Sequence, residues 1–250
     1  MKLEMSDNLA DMRALNQPLE GRVPCMYLDV LGLVTVGVGN LVDPVERAMA
    51  LPFRHGIHGG LATREEIRTA WNAVKRYGDR RKLWRSYAPA LTDLRLDDDA
   101  IDSLCDRRLL GNETWIVSHH IPVAEWCLVP ADAQLCAMSI AWACGADFPR
   151  KWPEFWSAFR ARNWAKAYAH CTIREAGNPG IVPRNEANRL MLANALVVEE
   201  LDLDRDKLHW PSRLGRPRTT EPAQAPAELI PLELPPGWLD ELRTEWIMGI

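Results

Sequence analysis

Residues 20–40 read EGRVPCMYLDVLGLVTVGVGN, and the fold turns on this stretch. Between Cys25 and Gly39, β-branched residues alternate with small ones, and Gly32 separates the two halves. That pattern predicts a short hairpin, the one convincing strand region of the chain. Just upstream, Leu3, Leu9, Met12 and Leu15 fall near helical spacing, with Ser6 and Asp7 offering cap chemistry. A helix over 3–17 is therefore expected to end at Pro18 or shortly after, leaving Glu20 and Gly21 at its exit.

Downstream, Asp43 followed by Pro44 reads as an N-cap with proline at the first helical position, opening a helix through Met49. Thr63 and Glu66 form a capping box, after which the pattern is almost wholly helical. Helices are predicted at 63–77, 80–87, 97–117, 131–144, 153–160, 163–176 and 184–200. Past residue 201 the texture changes again. Seven prolines between 211 and 237 indicate an extended arm, with Trp238, Leu242 and Trp246 anchoring a short terminal helix. The fold class expected is α+β, mostly α.

Composition sets the outer bounds. A chain of 250 residues, 47% hydrophobic and 26% charged, is an ordinary globular protein rather than a disordered, collagenous or membrane one. Its net charge of -4 argues against holding nucleic acid by broad phosphate neutralisation. The most apolar run, 28–42, is too short to span a bilayer and carries Asp29 and three glycines, so no membrane insertion is expected. Six cysteines lack any C-x-x-C pairing and read as free thiols. The first residues lack the apolar core of a secretory signal, which suits synthesis in the cytoplasm.

The candidate chemistry is Glu20, eight residues, Asp29, five residues, Thr35. Cutting a glycoside with inversion needs one carboxylic acid to protonate the leaving oxygen and a second group to activate water on the opposite face. Glu20 at a helix exit and Asp29 on the adjoining hairpin can supply these across a groove, with the Thr35 hydroxyl holding the water. Gly32, Gly37 and Gly39 let the backbone turn tightly and approach a sugar.

This spacing resembles the signature of the phage-type lysozymes, glycoside hydrolase family 24, and of the related lysozyme domain of pesticin. Their Glu-Gly, then Tyr-x-Asp-x-x-Gly-x-x-Thr-x-Gly-x-Gly, is matched by Glu20-Gly21, Tyr27, Asp29, Gly32, Thr35, Gly37 and Gly39. Residues 134–145, 163–171 and 180–190 are more weakly similar to the family's C-terminal helices. The resemblance implies a two-lobed lysozyme-like fold with a small N-terminal β-hairpin lobe and a larger helical lobe. It makes 1–200 the catalytic domain, with 52–95 a divergent insertion, and 201–250 a proline-rich C-terminal extension packed on the domain or partly mobile.

The resemblance also implies a muramidase that cleaves the β-1,4 bond between N-acetylmuramic acid and N-acetylglucosamine without metal or organic cofactor. Glu20 would be the general acid, Asp29 the group that positions or deprotonates water, and Thr35 the third member of the triad. Tyr27, Gly37, Gly39 and Asn40 would line the substrate. Glu20 would have to stay protonated near neutral pH, a task for partial burial. Two positions depart from the family: its usual His is Asn40, and an Asn in the later helix is Ala143.

Peptidoglycan glycan strands are then the expected partner, reached through a phage pore or a secretion machine; in the second case an immunity protein should exist. The alternatives are a lytic transglycosylase, which would not need Asp29, and a non-catalytic wall-binding module on the same frame. Other features read as structural. His55, His58, His119 and His120 lack a ligand-set spacing. The basic run from Lys75 to Arg85 reads as a solvated helical face. Tyr27 suits packing, and Trp142, Trp152, Trp156 and Trp164 suggest an aromatic core.

Overall fold

The computed structural model describes residues 9–29, 31–56, 58–77 and 91–214, and the backbone of 229–230. These fall into two compact units, one within Arg13–Arg108 and the other formed by 109–214 with 9–12. The fold is α+β and mostly helical.

The first unit opens within α1, Leu9–Glu20, of which it holds the residues from Arg13 on; the helix keeps Pro18 in its last turn, where the missing N–H costs one bond only. Gly21 follows at φ +71°, and its N–H bonds the Gln17 carbonyl at 2.9 Å, closing the helix in the left-handed manner of a glycine stop. A three-stranded antiparallel sheet then runs β1 (Val23–Leu28), β2 (Val34–Gly37) and β3 (Asn40–Leu41) in sequence order. Its register sets Tyr27 opposite Thr35 and Val36 opposite Asn40, with an irregularity between Val23 and Tyr27. The predicted hairpin is therefore present and carries a further short strand.

The short helix α2, Val45–Ala48, begins one residue later than the sequence suggests. Pro44 occupies its N-cap position and no side chain caps it. The reason is that the Asp43 carboxylate is engaged elsewhere, accepting from Lys75 and from the Val34 amide. Beyond it come β4 (Arg54–His55), α3 (Arg64–Arg76), β5 (Leu94–Arg95) and α4 (Asp98–His119), the last belonging to this unit as far as Arg108. β4 and β5 pair antiparallel. The Thr63 capping box forms as read: Oγ1 accepts from the Glu66 N–H while the Glu66 carboxylate accepts from the Thr63 N–H at 2.7 Å. Buried Ile67, Ala70 and Val74 give α3 one apolar face, which packs against β1, β2 and α2. Arg22, just beyond the end of α1, bridges Asp98 and Asp102 in the first turns of α4, and Arg13 bridges Asp106 one turn further on.

The second unit holds α5 (Val123–Trp126), α6 (Ala131–Cys144), α7 (Phe148–Lys151), α8 (Pro153–Arg160), α9 (Trp164–His170) and α10 (Val182–Glu200). Helix α6 is its axis, with every residue from Ala131 to Trp142 buried, which explains its wealth of alanine and its weak amphipathy. Its polar members are all satisfied. Gln134 Nε2 donates to the Trp126 carbonyl at 2.9 Å, and buried Arg184 donates to Ser139 Oγ and O. Asp132 accepts from Asn194 Nδ2 and from the His209 and Trp210 amides. Around it Phe148, Phe155, Trp156, Phe159 and Trp164 form a contiguous aromatic core, with Trp156 and Phe159 stacked at 5.0 Å.

Two strands close the unit: β6 (Arg213–Leu214) pairs with β7 (Leu229–Ile230). Helix α9 stops at His170 rather than 176, because the Asn185 side chain takes both the amide and the carbonyl of Ile173. The helix predicted at 80–87 and the one around Trp238 lie outside the described residues. Among the described residues no helix is long and apolar enough to cross a membrane.

Candidate active site

The candidate residues all lie in the unit built from Arg13–Arg108, on α1 and the three-stranded sheet. Glu20 is the last residue of α1 and is half-buried. Its carboxylate rests against the bare backbone of Gly39 in the β2–β3 turn: a Cβ at Gly39 would lie 3.1 Å from Glu20 Oε2 and 3.6 Å from Cδ. Gly39 also sits at φ +65°, where only glycine is unstrained. Two independent demands thus meet at one position. The Gly39 carbonyl in turn accepts from Arg108 Nη1 at 2.7 Å, so α4 holds the turn on which Glu20 rests.

Asp29 closes the other end of the hairpin. Its backbone N–H bonds the Leu33 carbonyl at 2.9 Å and its carbonyl accepts from Gly32 at 3.0 Å, while Gly32 takes φ +73°. Gly32 supplies the left-handed residue that short hairpin loops favour. Asp29 Oδ1 adds a side-chain closure, accepting from the Leu31 and Leu33 amides at 2.8 Å each. No hydrogen bond among the described residues engages Oδ2. One oxygen fixes the carboxylate in place.

Thr35 is buried, and its hydroxyl donates to the Leu33 carbonyl at 3.3 Å. Tyr27, paired across the strand with Thr35, is 3% exposed and packs with Cys25 and Val23. Gly37 and Asn40 are also buried. A Cβ on Gly37 would meet Asn40 Nδ2 and Ile101 Cγ2, both at 3.4 Å. Asn40 Nδ2 approaches the Val38 carbonyl at 3.4 Å and Cys105 Sγ at 3.9 Å. The fold therefore brings Glu20 to Gly39, Tyr27 to Thr35, and Gly37 with Asn40 to the face of α4.

Two residues in contact with this arrangement carry no sequence signal for it. Arg108 lies on a helix 69 positions away from the carbonyl it grips. Lys75 belongs to a basic run that reads as a solvated face, yet its Nζ reaches the Gly32 carbonyl at 2.9 Å and Asp43 Oδ2 at 2.5 Å. His119 Nδ1 lies 2.9 Å from the Trp115 carbonyl and His120 Nε2 3.0 Å from Asp147 Oδ1. His55 sits between Asp93 and Glu66 at 3.3 and 3.4 Å, and its hydrogen bond to Asp93, then the charge of Glu66, hold the ring above its ordinary value. Among the described residues no group of three or more His, Cys, Asp or Glu is placed to hold a metal ion. No protein-family model matches this chain, and no curated protein matches it.

Proposed function

We propose that this chain is a peptidoglycan hydrolase, a muramidase cleaving the β-1,4 bond between N-acetylmuramic acid and N-acetylglucosamine on a lysozyme-like frame. The observation that supports the reading is that one small sheet holds two carboxylates in different ways, Glu20 from α1 at its β2–β3 turn and Asp29 at its β1–β2 turn. Glu20 is seated on the glycine backbone of the β2–β3 turn. Asp29 is held by two amides through Oδ1 with Oδ2 unengaged. Acid-base cleavage of a glycoside asks for two such groups.

In the proposed reaction Glu20, protonated, gives its proton to the glycosidic oxygen as the bond to the anomeric carbon breaks. A water attacks that carbon from the opposite face, and Asp29 Oδ2 takes its proton. Thr35 Oγ1, whose hydrogen points to the Leu33 carbonyl, keeps lone pairs with which to accept from that water. The sum is addition of one water across the linkage with inversion. Peptidoglycan strands are the proposed partner. Delivery to the wall by a phage pore or a secretion machine, with an immunity protein in the producing cell, completes the reading.

The test is turbidity clearance of purified peptidoglycan by the native chain beside Glu20→Gln, which keeps the shape and removes the proton. The expected result is a loss of about a thousandfold or more with an unchanged melting temperature. A Glu20→Gln chain that still clears walls overturns the assignment. Product mass separates the enzyme classes, since a transglycosylase releases an anhydro sugar lighter by one water. A chain that sediments with peptidoglycan but releases nothing is a binding module.

A further inference from the structure

Helix α3 lies in the stretch 52–95 to which the proposed chemistry assigns no task. It nevertheless reaches the tip of the hairpin. Lys75 Nζ, in its last turn, donates to the Gly32 carbonyl at 2.9 Å and to Asp43 Oδ2 at 2.5 Å. Asp43 Oδ2 also accepts from the Val34 amide at 3.3 Å. One turn earlier on α3, Trp71 Nε1 donates to the Val42 carbonyl at 2.9 Å, and its ring lies 5.8 Å below the Lys75 ammonium. The Asp43 side chain is only 16% exposed, so this ion pair is shielded on one side.

The position of the Lys75 contact matters more than its strength. The Gly32 carbonyl and the Leu33 N–H are the two ends of one planar peptide unit. Lys75 grips the oxygen end, and Asp29 Oδ1 accepts from the nitrogen end at 2.8 Å. Fixing the carbonyl therefore fixes the direction in which the N–H points. An ammonium on the oxygen also polarises the peptide, which strengthens its N–H as a donor. Removal of Lys75 would leave that peptide held by Asp29 alone.

We propose that Lys75, steadied by Asp43, is a positioning residue for Asp29, acting through the Gly32–Leu33 peptide. This rests on the reading of Asp29 as the group that activates water. Helix α3 thereby acquires a function: it sets the angle of a carboxylate that it does not touch.

The experiment compares Lys75→Met and Lys75→Arg in the full chain, each also built on Asp29→Asn. Steady-state hydrolysis of soluble peptidoglycan fragments gives kcat and KM, and amide exchange reports the Leu33 N–H directly. Lys75→Met should lower kcat by about tenfold to a hundredfold with KM within about twofold, because catalysis is steep in the placement of the reacting groups. Lys75→Arg should recover most of that loss, Leu33 exchange should quicken by about tenfold, and Lys75→Met should add nothing on Asp29→Asn. Unchanged Leu33 exchange, a rise in KM alone, or an equal loss on Asp29→Asn each overturns the proposal. Should Lys75→Met unfold the hairpin, Asp43→Asn carries the same comparison. Retention of activity by Glu20→Gln would instead remove the muramidase reading, a result the exchange measurement does not mimic.

Discussion

Glu20 and Gly39 touch: the carboxylate of the one lies 3.1 Å from the place where the other would carry a side chain. The contact ties the end of a helix to the turn of a sheet 19 residues further along the chain. It turns a feature that looks like simple backbone freedom into a constraint on an acid.

Gly39→Ala should therefore fail twice. Strain at φ +65° costs about 1–2 kcal/mol, and the methyl must displace the Glu20 carboxylate. Wall clearance should fall by about tenfold or more. Gly177→Ala is the control, since Gly177 has φ +75° with nothing within 4 Å of a Cβ. It should lose similar stability in urea and keep full activity. Equal activity of the two variants would mean that the contact has no bearing on Glu20.

Asp29 closes the hairpin and, in the proposed reaction, takes a proton from water, and substitution can separate the two. Asp29→Asn keeps a side-chain oxygen for the Leu31 and Leu33 amides and loses the charge. It should fold with a melting temperature close to that of the native chain and hydrolyse poorly. Asp29→Ala also loses two hydrogen bonds, each contributing about 1 kcal/mol, and should be less stable by roughly 2 kcal/mol. Paired thermal melts and turbidity assays check this order.

The Thr63 cap closes α3 at its first turn. Thr63→Ala should destabilise the first unit by about 1 kcal/mol, read as a lower urea midpoint with an unchanged slope. Thr63→Ser should retain most of the native value, because the accepting oxygen remains.

Asp132 gives the second unit a pH dependence. Burial pushes its carboxyl up to about 6, while Asn194 and the His209 and Trp210 amides pull it back. A folded value above the ordinary 3.8 means that the folded state holds the proton more tightly than the unfolded state. The contribution is complete below about pH 4 and is lost as the pH rises through 6, by roughly 3 kcal/mol at 25 °C. The stability of the native chain minus that of Asp132→Asn should fall over this window and then level off. A flat difference from pH 4 to 7 would contradict the assignment.

Much of the hairpin and of the helical series was legible because each rests on local rules. Gly32 and Gly21 adopt the left-handed conformations that glycine alone accepts freely, and Thr63 with Glu66 closes its box within four residues. The illegible parts depend on partners far along the chain. Asp43 looks like a helix cap, yet Lys75, 32 positions away, claims its carboxylate. Nothing periodic marks the two-residue strands β4 and β5, which exist because Arg54 meets Arg95 and His55 meets Leu94. The end of α9 depends on Asn185, a side chain on the next helix. Of the candidate site, the spacing of Glu20, Asp29 and Thr35 was visible, whereas the supports supplied by Arg108 and Lys75 were not.

Four buried cysteines lend the molecule a built-in clock. Cys25 and Cys105 are buried in the first unit, and Cys136 and Cys171 in the second. Desolvation raises every one of these thiols, Cys171 to about 11 and Cys136 well above the ordinary value. Folded, they resist alkylation; exposed, they react at once. Peptide mapping after a timed pulse of iodoacetamide would thus record how fast each half of the protein opens, with no label added.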